Sequence, residues 1–187
     1  MESVSIVITG NPGTGKHTIS SILAKDLGHI ILDLNQIAIK HGIIEKKDST
    51  LDVDTKKLAR IIRKIITKDS IIVGHLAPYV VEGSQIKLAV ILRKNPYKLI
   101  PIYKKRNYSK KKQTENAASE ILGIIAHDSI KKFGLSKSRQ IDTTGLTIKQ
   151  TVNKVKLVLK KKFESDDVDW LGMVAKKNDF AKFFPNR

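Results

Sequence analysis

Val4-Ser5-Ile6-Val7-Ile8-Thr9-Gly10-Asn11-Pro12-Gly13-Thr14-Gly15-Lys16-His17-Thr18 joins a β-branched run to a glycine-rich turn. Val4 to Thr9 has the unbroken apolar character of a strand covered on both faces. Gly10 to Gly15 then forms a loop, and a helix is expected from Lys16 to about Leu27, with Gly28 just past its end. Gly10 to Lys16 fits G-x-x-x-x-G-K. In that pattern glycines let successive backbone N–H groups curl around phosphate oxygens, and the lysine is a point charge for the β- and γ-phosphates. The dipole of the following helix acts on the same anion. Gly13, Thr14, Gly15, Lys16, His17 and Thr18 are therefore the expected nucleotide-binding residues. The pattern normally continues with a hydroxyl that ligates Mg²⁺, but position 17 is His17 and the hydroxyl follows one residue later as Thr18. His17 is either a solvent-facing helix start or a metal-linked residue.

Working outward, Ile30 to Leu32, Ser70 to Val73, Leu88 to Leu92 and Gln140 to Thr143 read as further short strands. Asp33 can cap a helix through about His41, and Asp54 one through Ile66, with Lys46 to Thr50 as a polar loop between them. A helical stretch is expected around Tyr79 to Gln85. A long helix is expected from about Gln113 to Phe133, and a last core helix carries Ile148, Val152, Val155 and Leu159. Strands alternating with helices predict an α/β P-loop NTPase fold, with a parallel five-stranded sheet flanked by helices. The domain is expected over residues 1–163. After the acidic break from Glu164 to Asp167, an amphipathic C-terminal tail is expected over 164–187, bearing Trp170, Leu171, Val174, Phe180, Phe183 and Phe184.

The 187 residues suit one compact unit, and 41% hydrophobic against 28% charged residues excludes a disordered chain. Val4 to Ile8 is too short to span a bilayer and lacks a signal-peptide cleavage pattern, so a cytoplasmic protein with no membrane partner is expected. With no cysteine, disulfides and thiolate metal sites are excluded, and a metal must be held by oxygen or imidazole. The net charge of +17 attracts nucleotides and nucleic-acid backbones. It is spread over short lysine runs such as Lys46-Lys47, Lys110 to Lys112 and Lys160 to Lys162.

Over roughly Val4 to Leu159 the chain resembles the adenylate-kinase-like NTPases of small-ribosomal-subunit maturation, the family of the eukaryotic coilin-interacting nuclear ATPase protein and its archaeal relatives. Gly10 to Thr18, Leu34-Asn35-Gln36-Ile37-Ala38, His41-Gly42, Val53-Asp54, Gly74-His75-Leu76 and Val90-Ile91-Leu92-Arg93 carry the resemblance. So do Arg106-Asn107-Tyr108-Ser109 with Lys112 and Glu115-Asn116, and Asp142-Thr143-Thr144. It implies a monophosphate-binding region over about Leu32 to Asp54 and a short lid over about Tyr103 to Gln113. Arg106 is implied to lie on the triphosphate and to act with Lys16 in catalysis. The other reading of Arg106 is the exposed end of a basic helix. Four residues are implied accessories, three of them with plain structural alternatives. Arg93 matches a family arginine at a strand end. His75 orients a water or metal ligand, or is a rim hydrogen bonder. Asp54 touches Mg²⁺ or the acceptor, or only caps its helix. Asp142 belongs to a loop around the adenine, or to a strand-end turn. The implied activity is Mg²⁺-dependent phosphoryl transfer from ATP to a nucleoside monophosphate or to water. The alternative is a nucleotide-gated assembly factor, with the eleventh universal small-subunit ribosomal protein and pre-ribosomal RNA as partners. The chain departs from the family at Val73, where an acidic residue is common, at Ile102, where an arginine is common, and near Ile39, where only Lys40 is basic.

Overall fold

The computed structural model describes residues 5–47 and 50–185. The expected start of the first strand at Val4 lies outside them. Five strands form one parallel sheet in the order β2-β5-β1-β6-β7: β1 Ser5–Thr9, β2 Ile30–Asp33, β5 Ser70–Val73, β6 Ile86–Arg93 and β7 Ser138–Asp142. The parallel five-stranded sheet read from the sequence is thus the observed one. β1 is central and buried along its whole length, which is why its sequence shows no polar alternation.

Helices cover both faces. On one side α1 (Lys16–Leu27) and α8 (Ile148–Leu159) enclose Ile8, Ile19, Leu23, Val90, Val152 and Val155. On the other, α2 (Leu34–Lys40), α3 (Thr55–Ile65), α4 (Ala77–Val80) and α7 (Ile124–Phe133) enclose Val7, Leu34, Leu58, Ile62, Ile72 and Phe133. Asp33 and Asp54 cap α2 and α3 by accepting from backbone N–H groups, as their positions predicted.

Four segments differ from the sequence reading. The helix expected around Tyr79 to Gln85 is instead α4, which ends at Val80, and a separate 3-10 turn at Gly83–Gln85. Lys46 to Thr50 is not a polar loop: β3 (Ile44–Lys47) and β4 (Thr50–Val53) pair as an antiparallel hairpin, and residues 48–49 of the expected loop lie outside the described residues. The expected long helix is two, α6 (Lys110–Ile121) and α7, because Gly123 turns the chain through a left-handed conformation at φ 64°. A helix read from no pattern, α5 (Pro96–Lys105), follows β6. Asn95 caps it, and Pro96 stands at its first turn, where a missing N–H is harmless. Pro101 lies inside it and forfeits one helical hydrogen bond.

A third core forms where α5 and α6 meet the C-terminal α9 (Trp170–Lys176) and α10 (Phe180–Phe183). Val174 and Phe183 are buried there with Leu99, Tyr103, Ala117 and Ile121. Tyr97 meets Phe183 edge-on at 5.0 Å. The tail thus docks on α5 and α6, the helices that flank the turn at Arg106. No helix among the described residues is long and apolar enough to cross a membrane.

Candidate nucleotide site

The loop after β1 lies at the carboxyl end of the central strand, where open parallel sheets bind ligands. Two of its glycines are obligatory for packing. A Cβ on Gly10, at φ 138°, would stand 2.3 Å from the Leu92 carbonyl oxygen, and one on Gly13, at φ 88°, would stand 2.9 Å from a Leu99 methyl. The loop is therefore pressed against β6 below and α5 behind. The Tyr103 hydroxyl, donating to the Pro12 carbonyl at 2.8 Å, fixes that back wall.

Gly13, Gly15, Lys16, His17, Thr18, His75 and Arg106 line one cavity of about 450 Å³, together with Asn35, Tyr108, Lys112 and Asn116. Seven of the expected site residues are thus brought together from β1, α1, β5 and the α5–α6 turn. Thr14 is buried on the other side of the loop, where its hydroxyl donates to the Asn11 carbonyl. There it faces an adjoining space of about 210 Å³ lined by Gly13, Thr18, Ile19, Ile102, Thr143, Leu146 and Ile148.

Lys16 is 5% exposed, with Nζ 3.3 Å from the Asn11 carbonyl oxygen. Burial lowers its pKa to about 8, and the neighbouring Arg106 guanidinium pushes the same way against Asp33 and Glu120. Two cations in a partly dry cleft are a frustrated arrangement that an anion between them would relieve. His75 is held neutral, its pKa brought to about 4 by burial first and then by Lys16, His17 and Lys112. The Nδ2 of Asn116 is a buried donor without an acceptor among the described residues.

Arg93, Asp54 and Asp142 stand apart from this cavity. Arg93 is buried beside Glu120: its Nε donates to Glu120 Oε1 at 2.8 Å and its Nη2 to the Glu120 carbonyl at 2.8 Å. The strand-end position suggested a ligand contact, but the guanidinium is divided between Glu120 on α6 and Gln140 Oε1 on β7, to which Nη1 donates. Asp54 accepts from Lys57 N at 2.9 Å as a helix cap. Asp142 accepts from Thr144 N at 2.8 Å and so shapes the turn whose Thr143 lines the smaller space.

Glu120 was not singled out in the sequence. Fully buried, it accepts from Asn11 Nδ2 at 2.8 Å, Arg93 Nε, Lys94 N at 3.1 Å and Trp170 Nε1 at 3.0 Å. A carboxylate on the same helical face as Ala117 and Ile121 was the available signal, since a charge on an apolar stripe must be paired.

A model of a family described as AAA domain matches residues 6–123. A protein of Thermococcus onnurineus named "Putative adenylate kinase" is 30% identical over 88% of this chain and 90% of its own. Another of that name, from Methanococcus maripaludis, is 32% identical over 89% of this chain and 94% of its own. The chain belongs to this adenylate-kinase-like P-loop family. Solved structures agree in fold. Shikimate kinase from Aquifex aeolicus superposes with a TM-score of 0.55 at 15% identity, over 84% of this chain and 97% of that one. Thymidylate kinase from Candida albicans gives 0.52 at 13%, over 86% and 92%. In this adenylate-kinase-like chain the family match spans the P-loop, Asn35, His75 and the α5–α6 turn, which line the cavity.

Proposed function

We propose that the protein is an ATP-dependent nucleoside monophosphate kinase of the adenylate-kinase type, able also to pass the phosphoryl group to water. The observation that carries the reading is that Lys16 and Arg106, close enough for the guanidinium to lower the lysine's pKa, line one cavity with the P-loop backbone. The triphosphate lies against the backbone of Gly13 to Thr18, and Lys16 exchanges the Asn11 carbonyl for phosphate oxygens. The base enters the apolar space between Ile102, Leu146 and Ile148, beside Thr143. The monophosphate acceptor occupies the adjoining cavity of about 380 Å³, walled by Ala38, Ile39, Ile44, Val53 and Leu76 with Lys112 and His75 at its edge.

An oxygen of the acceptor phosphate attacks the γ-phosphorus as the bond to the β–γ bridging oxygen breaks, and ADP leaves with the bonding electrons. Arg106 and Lys16 neutralise the charge that spreads over the transferred group, and the fixed walls align the two nucleotides. When water is the acceptor, neutral His75 is placed to take its proton. A divalent cation, expected to be Mg²⁺, would supply further charge neutralisation of the phosphates. Among the described residues no cluster of three or more His, Asp or Glu could hold it alone, so it would arrive with the nucleotide. Thr18, His17 and Asp33, which line the P-loop cavity or the space beside it, would be the side chains to hold it.

A second reading, a nucleotide-gated factor of small-subunit maturation that contacts RNA, is supported by the charge of +17. Salt-sensitive RNA binding that changes with the bound nucleotide would favour it. The kinase reading is tested by Arg106→Ala, compared with wild type in single-turnover rate and in equilibrium ATP affinity. The rate is expected to fall by about 100-fold or more while affinity changes by about 10-fold or less. Equal rates would place Arg106 outside the reacting centre.

A further inference from the structure

P-loop proteins commonly hold the nucleotide's divalent cation by a hydroxyl directly after the P-loop lysine and a carboxylate at a neighbouring strand end. Here position 17 is an imidazole and β5 ends on Val73. Across the sheet, however, the register partner of Val73 is Asp33, the last residue of β2. His17 Nδ1 lies 3.1 Å from Asp33 Oδ2. The other oxygen of Asp33, Oδ1, accepts from Asn35 N at 3.0 Å and Gln36 N at 3.2 Å, so the start of α2 anchors the carboxylate. Only Oδ2 is left to meet the imidazole.

That geometry selects a tautomer. With Nδ1–H donating to a fixed carboxylate, Nε2 keeps its lone pair, the arrangement by which carboxylates prepare histidines for metals. His17 lines both the P-loop cavity and a neighbouring space of about 570 Å³ shared with Asp33, Gln36, Lys40 and Val73. Its imidazole therefore borders the phosphate site, and the Asp33 charge is close enough to act on Lys16.

We propose that His17, oriented by Asp33, is a direct nitrogen ligand of the divalent cation that enters with the nucleotide. The chain replaces a hydroxyl and a carboxylate on β5 by an imidazole and a carboxylate on β2. Imidazole favours first-row transition ions over Mg²⁺, so the site takes Mn²⁺ or Co²⁺ in preference. This inference rests on the nucleotide-kinase reading and specifies its cation.

The test uses full-length protein with Mn²⁺ and ADP, labelled with ¹⁵N-histidine, and pulsed EPR of the bound Mn²⁺. Wild type is expected to show a directly coordinated ¹⁵N coupling, and His17→Ser, which restores the usual hydroxyl, to lose it. The Co²⁺-over-Mg²⁺ preference in ADP binding should fall by about 10-fold or more in His17→Ser. Asp33→Asn, whose side chain still caps α2, should weaken Mn²⁺–ADP binding by about 10-fold. Bound ADP with no histidine coupling in wild type, or coupling that survives His17→Ser, would overturn the proposal and leave the kinase reading standing. No ADP binding with any of the three cations would overturn both.

Discussion

Asn11 Nδ2 donates to Glu120 Oε2 at 2.8 Å, which ties the P-loop to the middle of α6. Ser119 Oγ donates to Asn11 Oδ1 at 3.0 Å, so both ends of the Asn11 amide are held by one helix. The Asn11 carbonyl in turn receives Lys16 Nζ and the Thr14 hydroxyl. Glu120 also receives Trp170 Nε1, so the C-terminal helices, α6 and the phosphate-binding loop share one buried carboxylate. The loop geometry thus depends on residues far from it in sequence.

Glu120→Gln should reveal that dependence. Its neutral amide leaves Arg93, only 4% exposed, without its counter-charge, and breaking a buried pair from one side costs about 3–5 kcal/mol. Urea unfolding should show a loss of that size. A change below about 1 kcal/mol would mean that water or another group compensates the guanidinium.

Most of the sheet was legible because buried parallel strands and the P-loop leave local signatures, Ser5 to Thr9 followed by Gly10 to Lys16 above all. Helix α5 was not, because Pro96 and Pro101 read as breakers although one sits at the first turn and the other is tolerated inside. The break at Gly123 was hidden in a continuous apolar period, since one left-handed glycine suffices to end α6. At the site, Lys16, His75 and Arg106 were found from motifs. The partners of Arg93 were not legible, because a strand-end position says where the backbone lies but not which way a long side chain turns. Glu120 gathers donors from positions 11, 93, 94 and 170, a convergence that only tertiary structure creates.

Lys16 gives a pH prediction for ligand binding. Its pKa of about 8 in the free protein should rise when phosphates replace the Asn11 carbonyl. Binding is then full below pH 8 and weakens as pH rises above it, by up to about 10-fold per unit. ATP titrations between pH 7 and 9.5 should show the decline in wild type and a flat, weak profile in Lys16→Ala. A flat wild-type profile would show that Lys16 does not contact the nucleotide.

His75 acts in the opposite pH range. Its folded pKa of about 4 lies below the ordinary 6.5, so between those values the unfolded chain binds the proton that the native state refuses. Stability is therefore retained above pH 6.5 and falls as pH drops toward 4, by about 3 kcal/mol. His75→Gln should flatten this part of the stability profile. Parallel profiles for the two proteins would assign the acid sensitivity elsewhere.

Phosphoryl transfer at the P-loop cavity is tested most directly by following ADP formed by the purified protein from ATP alone and from ATP with AMP. With AMP present, ADP formation should rise and two ADP should appear for each ATP consumed, while folded Lys16→Ala should be slower by about 100-fold or more. ADP formation that no nucleoside monophosphate stimulates, or that persists unchanged in Lys16→Ala, would contradict the account.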